Sequence, residues 1–246
     1  MRDHFDGTPY DLKKGFAAGP FGCPVRWKPL AWKVEGDTTQ YAWERPISTQ
    51  QTAFAFVSQL RSWLPKEIGG LHWYGVDDNY TNVYIPLYCS IKRAPECFQV
   101  GSISEFTLES AFWIFNLVAN WAYTKYSHMY EDIKKVQKEL EDKFFAFQPA
   151  VEKAALELYQ TNPELAVEYL TDYSNAQSQL VMKKWRELWE YLVMKYNDGY
   201  VNEVNKDRGR NPKGVGYEDT FLKQVLKDRP GYYDVIWREN QKVKKR

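Results

Sequence analysis

Three runs between residues 45 and 91 constrain the fold more than anything else in the chain. Residues 52–63 alternate large and small side chains and stop before Pro65. Residues 70–76 form a short aromatic run. Residues 82–91 set Val83, Ile85, Leu87 and Cys89 on one side against Tyr84, Pro86, Tyr88 and Ser90 on the other. Alternation with a period of two, rich in aromatic and β-branched residues and bounded by Gly, Pro and Asp, is the signature of half-buried strands. Asp77, Asp78 and Asn79 supply a tight connection between the second and third runs, because Asx side chains bond nearby backbone and tolerate turn dihedrals. The expectation is a three-stranded antiparallel meander, with Cys89 a buried, inert thiol on its apolar side.

Around this unit the pattern changes twice. Residues 1–44 read as loop, including the Gly- and Pro-rich GFAAGPFGCPVRW at 15–27, either packed on the surface or lining a pocket. Within them, residues 32–34 and 40–43 flank Glu35-Gly36-Asp37 as a short hairpin. Residues 98–103 are a candidate for one more strand. From about residue 107 the apolar period becomes 3.6. Phe112, Phe115, Ala119, Ala122 and Tyr126 stripe a helix over 108–127, and Ile133, Val136, Leu140, Phe144 and Phe147 stripe a second, which Pro149 interrupts or restarts. Asn162-Pro163-Glu164 is a strong helix start, and that helix runs to Asn197-Asp198-Gly199. Residues 207–216 read as a loop, 219–227 as a short amphipathic helix, and 242–246 as a solvated lysine-rich tail.

Composition narrows the function classes. Aromatic residues make up 17% of 246, with 10 Trp and 18 Tyr, which excludes a disordered chain and suits layered packing or a carbohydrate or peptide groove. A net charge of +1 gives no reason to expect nucleic acid or an anionic membrane. His4, His72 and His128 are scattered and no CxxC occurs, so no metal and no other cofactor is expected. No apolar run reaches the length of about 18 residues needed to span a membrane. No basic-then-apolar leader opens the chain as written, so a secretion signal is not expected on it.

The residues carry no catalytic signature of the GxSxG, HExxH, phosphate-loop or dinucleotide kind. Asp77-Asp78 reads as a pair of turn carboxylates, since neighbours on an extended chain point opposite ways. Gln59 and Arg61, two apart on one strand face, turn either to water or to a substrate site. Arg45, before Pro46, sits at the mouth of the same strand. Arg45, Gln59 and Arg61 are therefore the candidate catalytic residues. The Asn79-Tyr80-Thr81 sequon is set aside as a chance match.

Five separated stretches carry a resemblance: AGPFGCPVRW, WERPISTQQTAFAFVSQLRSWLP, GGLHWYGVDDNYTNVYIPLY, FQPAVEKAALELY and NPELAVEYLTDYS. In that order they resemble the C-terminal half of the cysteine-nucleophile dipeptidases, the dipeptidase A type of the N-terminal-nucleophile hydrolase superfamily, above all its secreted bacterial members. The resemblance implies an α+β fold, part of an αββα sandwich, with antiparallel strands followed by long helices. It also implies a cysteine exposed at a processed N-terminus. The thiolate attacks the peptide carbonyl, its own α-amino group acts as base, and Arg, Asp and Asn side chains orient it and stabilise the oxyanion. Here no cysteine lies near residue 1, and Cys23, Cys89 and Cys97 fall inside the C-terminal-half match.

The expectation is a single domain over 1–246: a loop-rich segment with a hairpin at 1–44, strands at 45–103, helices at 107–199, and loop, short helix and tail at 200–246. It is the C-terminal portion of a dipeptidase, inactive alone because the nucleophile is missing. The partners so implied are a dipeptide substrate and either the family's N-terminal half or a second copy. The compartment is left open, since the family's signal would belong to the other half. The alternative is a non-catalytic binding protein using an aromatic-rich sheet face.

Overall fold

In the computed structural model, which describes residues 1–202 and 212–233, the hairpin and the meander both form. Strands β1 (Ala31–Trp32) and β2 (Tyr41–Ala42) pair antiparallel, with the Trp32 and Tyr41 rings stacked at 4.9 Å. Strand β3 (Phe54–Leu60) then leads through a single helical turn, α1 (Lys66–Gly69), into β4 (Gly70–Val76), and β5 (Ile85–Tyr88) completes the order β3-β4-β5. All pairs are antiparallel. Two strands are shorter than the alternation predicts. The run at 52–63 gives way at Arg61, whose N–H bonds back to the Gly69 carbonyl at 3.0 Å. The run at 82–91 starts late because the Asn82 carbonyl accepts from Arg2 and Gln137 and the Tyr84 N–H donates to Glu141. It also ends before Cys89, which is exposed, contrary to the expectation of a buried thiol.

Helices follow where the period changes: α2 (Ala111–Tyr123), α3 (Tyr126–Thr161) and α4 (Pro163–Lys195). Pro149 lies inside α3 without ending it, contrary to the expected break. A mid-helix proline costs about 3 kcal/mol. Opposing that cost are contacts in the turn before it, where Phe145 meets the Trp73 ring at 4.6 Å and Gln148 bonds Gln59 at 3.1 Å, and the burial of Val151 and Ala155 after it. The start of α4 is as the sequence predicts: Asn162 Oδ1 accepts the Glu164 N–H at 3.0 Å, with proline at the first helical position. Asn162→Ala removes that cap, and the expected result is a loss of about 1 kcal/mol in a denaturant titration. No strand forms at 98–103, where a 3-10 turn (Glu96–Phe98) and a single Ser102–Glu105 bridge stand instead.

Past α4, a ribbon of β6 (Tyr200–Asn202) and β7 (Pro212–Gly214) precedes α5 (Asp219–Asp228), which matches the expected short helix. Part of the loop expected at 207–216 and all of the tail at 242–246 lie outside the described residues.

The layers follow from the register. On one face of the sheet Leu71, Trp73 and Tyr88 are buried against α3 and α4, in a core that includes Ile114, Phe115, Ile133, Leu170 and Trp185. Burying each such side chain contributes about 1.5–3 kcal/mol. On the opposite face Phe54 and Phe56 are 54% and 47% exposed, stacked on Tyr74 and edge-on to His72 respectively. Leu60, on the same face, is 75% exposed, and Trp63 in the turn beyond the strand is 77% exposed. The arrangement is α+β, with helices against one side of the three-stranded sheet.

Candidate functional site

Two polar clusters sit at opposite ends of β4. The first gathers two of the three sequence candidates at its start. Arg61, 6% exposed, donates to the Ile68 carbonyl at 3.1 Å and the Gly69 carbonyl at 3.3 Å, and pairs with Glu152 of α3. Glu152 Oε1 also accepts Gln148 Nε2 at 2.9 Å and the Tyr88 hydroxyl at 3.2 Å. Gln59 Oε1 accepts the Trp73 indole N–H at 3.2 Å and Gln148 at 3.1 Å. Gln59 and Arg61 thus share a face as the spacing predicts, but it turns to α3 and not to water. Arg45 is not part of this cluster; it is exposed and lies beside Arg26, Glu44 and Pro46.

The second cluster occupies the segment whose sequence reads as a turn. Asp77, Asp78, Asn79, Tyr80, Thr81 and Asn82 are all buried. Asp77 adopts a left-handed backbone (φ 65), and Asp78 Oδ1 accepts the Tyr80 N–H at 2.9 Å, so the Asx turn itself is as expected. What the turn reading lacks is the set of distant donors. Ser48 Oγ bonds Asp78 at 3.0 Å, the Tyr123 hydroxyl bonds it at 2.7 Å, and Asn116 Nδ2 bonds Asp77 at 3.3 Å. Arg2 straps the segment from outside: it donates to the Asn79 carbonyl at 2.8 Å, forks onto both oxygens of Glu141 at 2.6 and 2.9 Å, and stacks over Tyr84 at 4.8 Å. Gln137 of α3 donates to the Asn82 carbonyl. Gly75 is required here, because a Cβ at that position would collide with the Asn82 side chain. The sequon asparagine is buried inside this assembly.

Burial, and then the charge of Asp78, pushes Asp77 up to about 7. Burial pushes Asp78 up to about 6, against the bonds from Tyr80, Tyr123 and Ser48 that favour its anion. Burial and the Asp78 carboxylate together drive the Tyr123 hydroxyl far above its ordinary value, so it stays a donor. Two adjacent acids that hold or release protons near neutrality are the arrangement of a site able to move a proton. Both are shut from solvent, so they act through the groups they hold. The signal available in the sequence is six consecutive polar or Tyr positions between two apolar strands.

The three thiols have different surroundings. Burial pushes Cys23 up to about 12 and Cys97 up to about 11, and it raises exposed Cys89 as well. Reagent access decides the order of reaction. A disulfide reagent at pH 8 is expected to modify Cys89 at least about tenfold faster than Cys23 in the folded chain, read by peptide mapping. Among the described residues, His4, Asp6 and Asp11 are grouped closely enough to share an ion.

The class of the protein is given by its sequence match: the chain belongs to Peptidase family C69, whose profile matches residues 1–139. It is similar to Dipeptidase A of Lactobacillus helveticus, with 29% identity over 141 residues. That match takes in 57% of this chain and 24% of the relative. No helix among the described residues is long and apolar enough to cross a membrane.

Proposed function

We propose that the chain is part of a cysteine-type dipeptidase, a hydrolase of dipeptide peptide bonds, whose attacking sulfur is none of Cys23, Cys89 and Cys97. The observation that carries this reading is the family match over residues 1–139, which takes in the β3–β5 sheet, the buried 77–82 segment and the start of α3. The thiol surroundings support its second half. A nucleophilic cysteine reacts as thiolate and needs a lowered pKa, whereas all three here are raised. Residues 1–246 alone then hydrolyse no dipeptide. In this reading Arg45, exposed, is the candidate to meet a substrate carboxylate. Gln59 and Arg61 hold the start of β4 through Glu152, and Asp77 and Asp78 hold the β4–β5 connection.

Incubation of the purified chain with Ala-Ala is expected to release no free amino acid above the blank. Turnover abolished by iodoacetamide would place the nucleophile on this chain and overturn the proposal. For the dipeptidase assignment itself, residues 1–139 can replace the matched segment in the Lactobacillus helveticus protein. A soluble chimera is expected to retain dipeptide hydrolysis, and a soluble, folded but inert one counts against it.

The exposed Phe54, Phe56 and Leu60 strip favours a second reading, a non-catalytic interaction protein. Contiguous exposed apolar surface marks a docking face. On that reading the chimera is inert and Phe56→Ser abolishes self-association or partner binding in sedimentation.

A further inference from the structure

We propose that His4, Asp6 and Asp11 form a binding site for a divalent cation of the zinc or manganese kind, which closes the 4–12 loop on itself. The site is built around a side chain with nothing else to do. His4 is 2% exposed, and its Nδ1 is buried without a hydrogen bond. That nitrogen lies 3.2 Å from Asp6 Oδ2, in contact but out of line for a hydrogen bond. Asp11 is 8% exposed, and its carboxylate already accepts the Lys13 N–H at 3.0 Å and the Gly7 N–H at 3.4 Å. One ligand atom from each of the three residues lies within 4.8 Å of the others.

Two ligands about 2.1 Å from a tetrahedral metal lie about 3.4 Å apart. The His4–Asp6 spacing of 3.2 Å is already near that edge, and Asp11 has only to close in. One imidazole and two carboxylates suit zinc or manganese better than calcium, which takes oxygen alone. The local competitor is Lys13, whose ammonium lies 2.5 Å from Asp6 Oδ1. Asp6 therefore faces a cation with one oxygen and His4 with the other. The loop is closed behind the site by the Leu12 N–H on the His4 carbonyl at 3.1 Å, and the His4 ring lies 5.2 Å from Tyr80. A cation here would cross-link residues 4, 6 and 11 within one loop. Histidine spacing alone hides such a site, since two of its three ligands are carboxylates.

The test uses the full chain, freed of metal with a chelator. Titration with Mn2+ is expected to broaden the imidazole proton resonances of His4 well below one equivalent, leaving those of His72 and His128 sharp. Calorimetry with Zn2+ is expected to give one equivalent bound, with affinity reduced at least about tenfold by Asp6→Asn or Asp11→Asn. Lys13→Ala is expected to tighten binding severalfold by removing the competing ammonium. The proposal is overturned if His4 is not broadened, if all three histidines broaden equally, or if Asp6→Asn leaves Zn2+ affinity unchanged. The manganese experiment needs no variant beyond His4→Gln for assignment, so a variant that fails to fold does not rescue the idea.

Discussion

Glu152→Ala is expected to destabilise the folded chain by about 3–5 kcal/mol, the usual cost of stranding one partner of a buried ion pair. At roughly 2–4 °C per kcal/mol for a chain of this size, the melting temperature falls by roughly 6–20 °C. The side chains of Arg61 and Glu152 are 5% and 15% exposed, so neither charge is well solvated once its partner is gone. The Ile68 and Gly69 carbonyls still accept from Arg61, but they carry no countercharge. The Tyr88 hydroxyl loses its acceptor at the same time, and Gln148 loses one of two. The double variant Arg61→Met/Glu152→Leu keeps much of the volume and removes both charges. It should be more stable than Glu152→Ala by at least about 1 kcal/mol. If the single variant melts within about 2 °C of the wild type, a change of roughly 1 kcal/mol or less, the cluster is not holding β3 to α3.

The second large effect is on pH dependence. In the unfolded chain the Asp77 and Asp78 carboxyls ionise near their ordinary value of 3.8; in the folded chain Asp77 keeps its proton to about pH 7 and Asp78 to about pH 6. Between those limits the native state binds more protons than the unfolded state, so stability falls as pH rises. Their favourable contribution is complete below about pH 4 and is lost as pH climbs through the folded values. His4 works the other way: burial lowers its pKa, so its contribution is lost as pH falls below its ordinary value of 6.5. Comparing Asp77→Asn with the wild type isolates the acid. Asn resembles the neutral carboxyl and cannot ionise. The variant should therefore gain on the wild type by about 2–4 kcal/mol between about pH 4.5 and pH 8, because each tenfold change in an acid's ionisation constant corresponds to about 1.4 kcal/mol. Parallel melting curves for the two proteins across that range would show that Asp77 titrates normally.

What is legible in the sequence tracks the range of the interactions involved. The residues of β4 and the start of α4 are legible because their causes are local: alternation bounded by glycine, and an Asn-Pro-Glu cap. Cys89 is misplaced by the pattern because period-two alternation continues three residues past the point where β5 ends. Pro149 is misleading because a proline's local cost says nothing of Trp73 and Gln59 packing on the turn before it. The acid pair escapes for the same reason. A DDNYTN turn looks solvated until Ser48, Tyr123, Arg2 and Gln137, 30 or more residues away, are folded around it.

By itself the sequence determined the order of elements, the antiparallel meander, the α+β class and the family, all of which follow from short-range periodicity and from motifs in a fixed order. Tertiary structure decided which polar residues lose water. It paired Arg61 with Glu152 across 91 positions, buried Asp77 and Asp78, and left Phe54 and Phe56 uncovered. Solvation of a side chain is set by whichever segments arrive beside it, and a linear pattern does not contain that information.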